Sequence, residues 1–220
     1  MAERWARVWF GSTALAGAVA VVTEFALSAS YAGYPQLTTP FGRSSNELFF
    51  FTILSNLLVL LSSLLLAVRL DRPGTTFRVL RLSALTGIVI TAVVYHAVLA
   101  PIAHPHGGYV FTNLILHTVV PIMAVGGWLA FGPRVRTGGK VVALSLLFPG
   151  LYLAVTLVRG ALLHYYPYFF LDVGHLGYAR MAVNATGVAL LYLGVAAAIA
   201  GTERLLDRRR TAAPTANLAA

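Results

Sequence analysis

Thr52, Ser55 and Asn56 stand in an otherwise apolar stretch, Phe49 to Leu58. Their i, i+3, i+4 spacing puts three hydrogen-bonding side chains on one face of a helix. A second apolar stretch, Asn113 to Pro121, carries Asn113, His117 and Thr118. A threonine hydroxyl is a weak nucleophile until a base takes its proton, and a neutral imidazole does that. Thr52 and His117 are therefore the candidate nucleophile and base, provided that their helices bring them together. A base needs a third group to orient it, for which Asn113 one turn earlier, or a carbonyl, is placed. Asn56, Asn184 and Arg159 are candidate donors to a developing oxyanion.

The elements that must position these residues follow from composition. Of 220 residues, 58% are hydrophobic and 10% charged, and the mean hydropathy is +0.78. A soluble domain carries about 25% charged residues, so this chain has too little polar surface to face water all round. It reads as an all-α integral membrane protein. Cysteine is absent, which excludes a disulfide framework, a thiolate metal site and a cysteine nucleophile. The +9 net charge invites a nucleic-acid reading, but its distribution speaks for membrane topology instead.

About 20 apolar residues are needed to cross the hydrocarbon core. Six segments qualify, near 8–29, 48–70, 79–100, 110–131, 141–163 and 178–201. The connections carry breakers, among them Pro40, Pro73-Gly74, Gly132-Pro133 and Pro167. They are short, so consecutive helices should be antiparallel neighbours in one six-helix bundle over residues 1–210. Residues 211–220, rich in Ala, Thr and Pro, read as a disordered tail. The first segment exceeds the 7–15 apolar residues of a signal sequence, and Glu24 interrupts its end, so it counts as a membrane helix.

Thirteen of the sixteen basic residues flank one side of this arrangement, leaving Arg43, Arg159 and Arg180 on the other. By the positive-inside rule both termini are cytoplasmic, in a multi-pass cell-membrane protein. Thr52 then lies about 7 Å below the outer surface, at the rise of 1.5 Å per residue from Glu47. His117 is a little deeper. Glu24, Tyr95, His96, Thr156, Arg159 and Asn184 reach the same zone from other helices. Buried ionisable groups face a bundle interior or a wet cavity, so a polar pocket open to the outer face is expected. Its roof is the connection 164–172, with its run of aromatics ending in Asp172. Pro121, lacking an N–H for the carbonyl of His117, should kink the fourth helix.

Each residue also has a structural reading. Thr52, Ser55 and Asn56 are equally suited to interhelical hydrogen bonding. His117 can be a packed histidine paired with Asn113, Glu24 with Arg159 an ion pair, and Asp172 a residue that caps or turns the loop after the aromatic run.

Three motifs carry a resemblance: Phe51-Thr52-Ile53-Leu54-Ser55-Asn56-Leu57-Leu58, Leu116-His117-Thr118-Val119-Val120-Pro121, and Tyr166-Pro167-Tyr168-Phe169-Phe170-Leu171-Asp172-Val173. In order and spacing they resemble the androgen-induced-protein-like family of six-helix membrane proteins, most clearly its bacterial branch. Animal members hydrolyse fatty acid esters of hydroxy fatty acids with an intramembrane threonine and a histidine. The resemblance implies that Thr52 and His117 fill these roles, on a membrane lipid or lipid-ester substrate, without cofactor or metal. Two departures stand out: Pro121 comes one residue earlier than in the animal pattern, and Gly127 precedes Trp128 where bacterial relatives often have an acidic residue.

Two other classes compete. A b-type cytochrome would use His96 and His117 as axial ligands. A scaffold or transporter would need the polar zone only for packing or passage, and a transporter should show broken helices and repeated halves. Lipid-ester hydrolysis is the leading expectation.

Overall fold

The computed structural model describes residues 1–31, 37–133 and 137–212, the side chains of 207–212 excepted. It is an all-helical bundle with six helices long and apolar enough to span a membrane. α1 (Ala2–Ser30) is followed by a short α2 (Pro40–Asn46), and a 3-10 turn (Glu47–Phe49) leads into α3 (Phe51–Val68). α4 (Thr75–Val94) ends in a π turn (Tyr95–Leu99). α5 (Gly108–Leu114) and α6 (Val120–Phe131) form one span through a second π turn, Ile115–Val119. α7 (Gly139–Ser145) and α8 (Leu147–Leu163) make the fifth span, and α9 (Val173–Ala212) the sixth. α4 sits centrally, against α3, α6, α7 and α9, while α1 packs on α3 and α6. Val59, Leu85, Ile88, Val120, Ala124 and Ala196 are buried where these helices converge.

The proline expected to break the first connection starts a helix instead. Pro40 occupies the first turn of α2, where its missing N–H costs nothing, and Thr39 caps it by accepting from the Gly42 N–H at 3.0 Å. Phe50 then breaks the chain with extended backbone angles (φ −92°, ψ 129°), so α3 begins at Phe51 rather than at residue 48. Thr52 is thereby a first-turn residue.

Prolines elsewhere are accommodated without being expelled. Just before Pro121 the chain forms a π turn, the Val120 N–H reaching back five residues to the Ile115 carbonyl. Pro149 removes the N–H that would bond the Ser145 carbonyl, at the joint between α7 and α8. The Tyr192 hydroxyl donates to that carbonyl at 3.1 Å, supplying from a neighbouring helix what a membrane cannot. Gly177 sits at φ 72°, ψ 160°, a conformation open to glycine, where α9 turns in its first residues.

Arg81, counted from sequence among the residues flanking the second connection, is fully buried. Its guanidinium donates to Ser62 Oγ at 3.4 Å and lies 5.4 Å from the Phe10 ring centroid. Thr211 and Ala212 belong to α9, and the rest of the expected tail lies outside the described residues.

Candidate active site

The break at Phe50 decides how Thr52 is presented. As the second residue of α3 it has a backbone N–H with no carbonyl one turn back, and its side chain sits at the positive end of the helix dipole. Its hydroxyl Oγ1 lies 3.3 Å from Nε2 of His117. His117 projects from the π turn of the fourth span, a wide turn common at functional sites.

The hydrogen bonds assign the imidazole tautomer. His117 Nδ1 is 3.0 Å from the Asn113 carbonyl oxygen, which can only accept. Nδ1 is therefore the protonated nitrogen and Nε2 carries the lone pair facing Thr52. The threonine donates to the histidine, the direction needed for a base to take its proton. The Tyr95 ring stacks on the imidazole at 4.0 Å between centroids and 24° between planes. Tyr95 is itself held by the Asn113 side chain, whose Nδ2 donates to the tyrosine hydroxyl at 2.6 Å.

Tyr168 completes the network from above. It descends from the connection 164–172 until it is 9% exposed, and its hydroxyl lies 3.4 Å from both Thr52 Oγ1 and the Thr52 backbone nitrogen. Thr52 gives its proton to His117, so the Tyr168 hydroxyl donates to Thr52 Oγ1 while accepting from the Thr52 N–H. Burial raises the Tyr168 phenol above its ordinary value, and it stays a neutral donor. These contacts are long for hydrogen bonds, as catalytic contacts often are before a transition state tightens them.

Asn56 serves position rather than charge. Its Nδ2 donates to the Thr52 carbonyl at 2.8 Å and to the Leu116 carbonyl at 3.2 Å, tying α3 to the turn that carries His117. Ser55 is buried one turn from Thr52 and packs against Gly87, where an added Cβ would come 2.9 Å from its Oγ. Arg159 donates to Asn46 Oδ1 at 2.6 Å and stacks over Phe49, 4.1 Å from the ring centroid. Among the described residues these contacts take the place of the expected pair with Glu24. Asn184 holds the Phe170 carbonyl at 3.0 Å and so anchors the loop that carries Tyr168.

Of the two structural readings of Asp172, cap or loop turn, the structure shows a cap at the start of α9. It accepts from the His175 N–H at 3.3 Å and from its Nδ1 at 2.6 Å. These bonds to His175 outweigh its partial burial and hold its carboxyl below its ordinary value. His96 lies on the exposed flank, with Nε2 3.1 Å from Thr118 Oγ1. Axial haem ligation by His96 and His117 does not fit these residues. His117 Nε2 faces Thr52, Tyr95 covers the ring, and no porphyrin plane passes between such partners.

Below Thr52 opens a cavity of about 330 Å³, in the range of small-molecule sites. Phe51, Thr52, Val94, Tyr95, Tyr168 and Phe170 line its upper part. Tyr95 was placed in this zone from sequence without a role, and Tyr168 was not singled out within the roof; the aromatic run 165–170 was the available signal for it. No family model, no curated protein and no solved structure matches the chain.

Proposed function

We propose that the protein is an intramembrane lipid-ester hydrolase in which Thr52 is the nucleophile and His117 the base. One observation carries this reading: a threonine hydroxyl 3.3 Å from the lone-pair nitrogen of a histidine, at the head of an apolar cavity. Thr52 Oγ attacks the ester carbonyl carbon as its proton passes to His117 Nε2. The carbonyl oxygen gathers the negative charge, and the first-turn N–H groups of α3 with the Tyr168 hydroxyl are the donors nearest to it. The bond to the alkoxy oxygen then breaks and that oxygen takes the proton from His117. Water next gives a proton to the same nitrogen and attacks the acyl-threonine, releasing the acid and restoring the hydroxyl.

The substrate class rests on two supports. The cavity suits an apolar chain, and the motif resemblance suggests fatty acid esters of hydroxy fatty acids or similar lipids. The basic residues favour both termini in the cytoplasm and the dyad in the outer half of a cell membrane. Incubating the purified protein with a panel of lipid esters, beside Thr52→Ala, tests the reading. Turnover lost in folded Thr52→Ala, with a fluorophosphonate probe labelling Thr52 in the wild type, supports it. Equal turnover per folded molecule in both would end it.

A further inference from the structure

The cavity beneath Thr52 has a direction. Thr52, Tyr95 and Tyr168 stand at the level of the dyad, while Leu146, Tyr192 and Leu193 lie at the far end. Along α9 the lining runs from Ala185 to Leu193, a depth of about 12 Å at the helical rise. One leaflet of a bilayer offers roughly 15 Å, half of a ~30 Å hydrocarbon core. The cavity is thus shorter than the chains of the lipids around it.

Its walls present carbon even where the residues are polar. Each lining tyrosine engages its hydroxyl elsewhere: Tyr95 with Asn113, Tyr152 with the Phe49 carbonyl, Tyr168 with Thr52, Tyr192 with the Ser145 carbonyl. What faces the space is mostly ring and aliphatic surface, with the hydroxyls of Thr52 and Thr91 as the polar groups of the lining. Two small residues of the lining, Gly150 on α8 and Ala189 on α9, are exposed at the bundle surface. A Cβ built on Gly150 would meet nothing within 4 Å. A chain can therefore enter sideways from lipid between the fifth and sixth spans.

His117 is not part of the lining and lies on the other flank of Thr52. In acyl transfer the leaving oxygen takes its proton from the imidazole, so the alcohol part of an ester belongs on that flank. The chain attached to the carbonyl carbon then extends the opposite way, into the cavity. Resting on the hydrolase reading, we propose that the cavity is the acyl-chain subsite. It admits one unbranched acyl chain of medium length and leaves the alcohol part outside, beside His117 and His96. Ala189 and Gly150 govern entry, and Leu146 and Leu193 set the floor.

The test compares octanoate, decanoate, dodecanoate and palmitate esters of one alcohol, then decanoate esters of several alcohols. The expected kcat/KM for decanoate exceeds that for palmitate about tenfold, with a weaker dependence on the alcohol. Ala189→Phe should shift the optimum to octanoate or shorter, and Leu146→Ala should shift it longer. An unmoved profile in a folded, active Ala189→Phe overturns the subsite and leaves the hydrolase standing.

A second arm needs no turnover. A decanoic acid carrying a mid-chain diazirine should photolabel segments 146–153 and 185–193 in the wild type but not in Ala189→Phe. Labelling that ignores this substitution also overturns the subsite. Labelling as expected without turnover of any ester would leave the subsite standing and overturn the hydrolase.

Discussion

The Asn113 carbonyl oxygen lies 3.0 Å from His117 Nδ1, and this one contact decides which imidazole nitrogen faces Thr52. The orienting group is the backbone of Asn113, while its side chain holds Tyr95 against the other face of the ring. Asn113→Ala keeps the carbonyl and should therefore keep the tautomer. Its kcat should fall less than about tenfold, whereas Thr52→Ala and His117→Ala should each lose on the order of 10³-fold or more. The double variant Thr52→Ala/His117→Ala should be little worse than either single, since members of one catalytic unit are strongly non-additive. Additive losses measured on folded protein would separate the two residues.

Tyr168→Phe removes one hydroxyl and keeps the ring that closes the cavity. If that hydroxyl meets the developing oxyanion, kcat should fall about 10²-fold with KM nearly unchanged. Thermal stability should fall by only about 1 kcal/mol for the lost hydrogen bond. A raised KM with full kcat would assign Tyr168 to substrate binding alone.

Orientation has its own test. A reporter active only outside the cytoplasm should give signal when fused after His104 and stay silent after Gly138. The opposite pattern would put Thr52 in the cytoplasmic half of the bilayer and require the substrate to enter from the inner leaflet.

The six spans were legible because a membrane asks for one property, sustained hydropathy, which each segment carries in full. That Thr52 and His117 stand at one level of the bundle was legible too, since helical rise converts sequence separation into distance. The break at Phe50 was not. Nothing in Phe49-Phe50-Phe51 marks the extended backbone that stands where the 3-10 turn meets α3. Pro40 reads as a breaker or a first-turn residue, and only the capping contact from Thr39 shows which. Tyr168 was hidden as one of five aromatics in the run 165–170, because which ring descends into a bundle is a matter of packing. The burial of Arg81 was not legible either, because contacts with Ser62 and Phe10 on neighbouring helices take it inside.

Glu47 yields a prediction about stability. It lies before α3, outside the spans, only 6% exposed, and accepts from Ser28 Oγ at 2.6 Å. Burial raises its carboxyl to about 7; the Ser28 hydrogen bond opposes this and the nearby Glu24 adds to it. In the unfolded chain the same group ionises in the ordinary carboxylate range. Between that range and about pH 7 the folded protein therefore holds more protons than the unfolded one, and stability falls as pH rises. Above that window Glu47 is ionised in both states and the slope it causes vanishes. The full effect is on the order of 3 kcal/mol. Glu47→Gln keeps an acceptor for Ser28 but cannot ionise, so it should flatten the profile over this window and melt higher than wild type near pH 8. Other carboxylates titrate in both proteins, and the difference between the two Tm–pH curves isolates Glu47. Parallel curves in detergent from about pH 5 to about pH 8 would mean that the Glu47 carboxyl ionises as freely in the bundle as in the open chain.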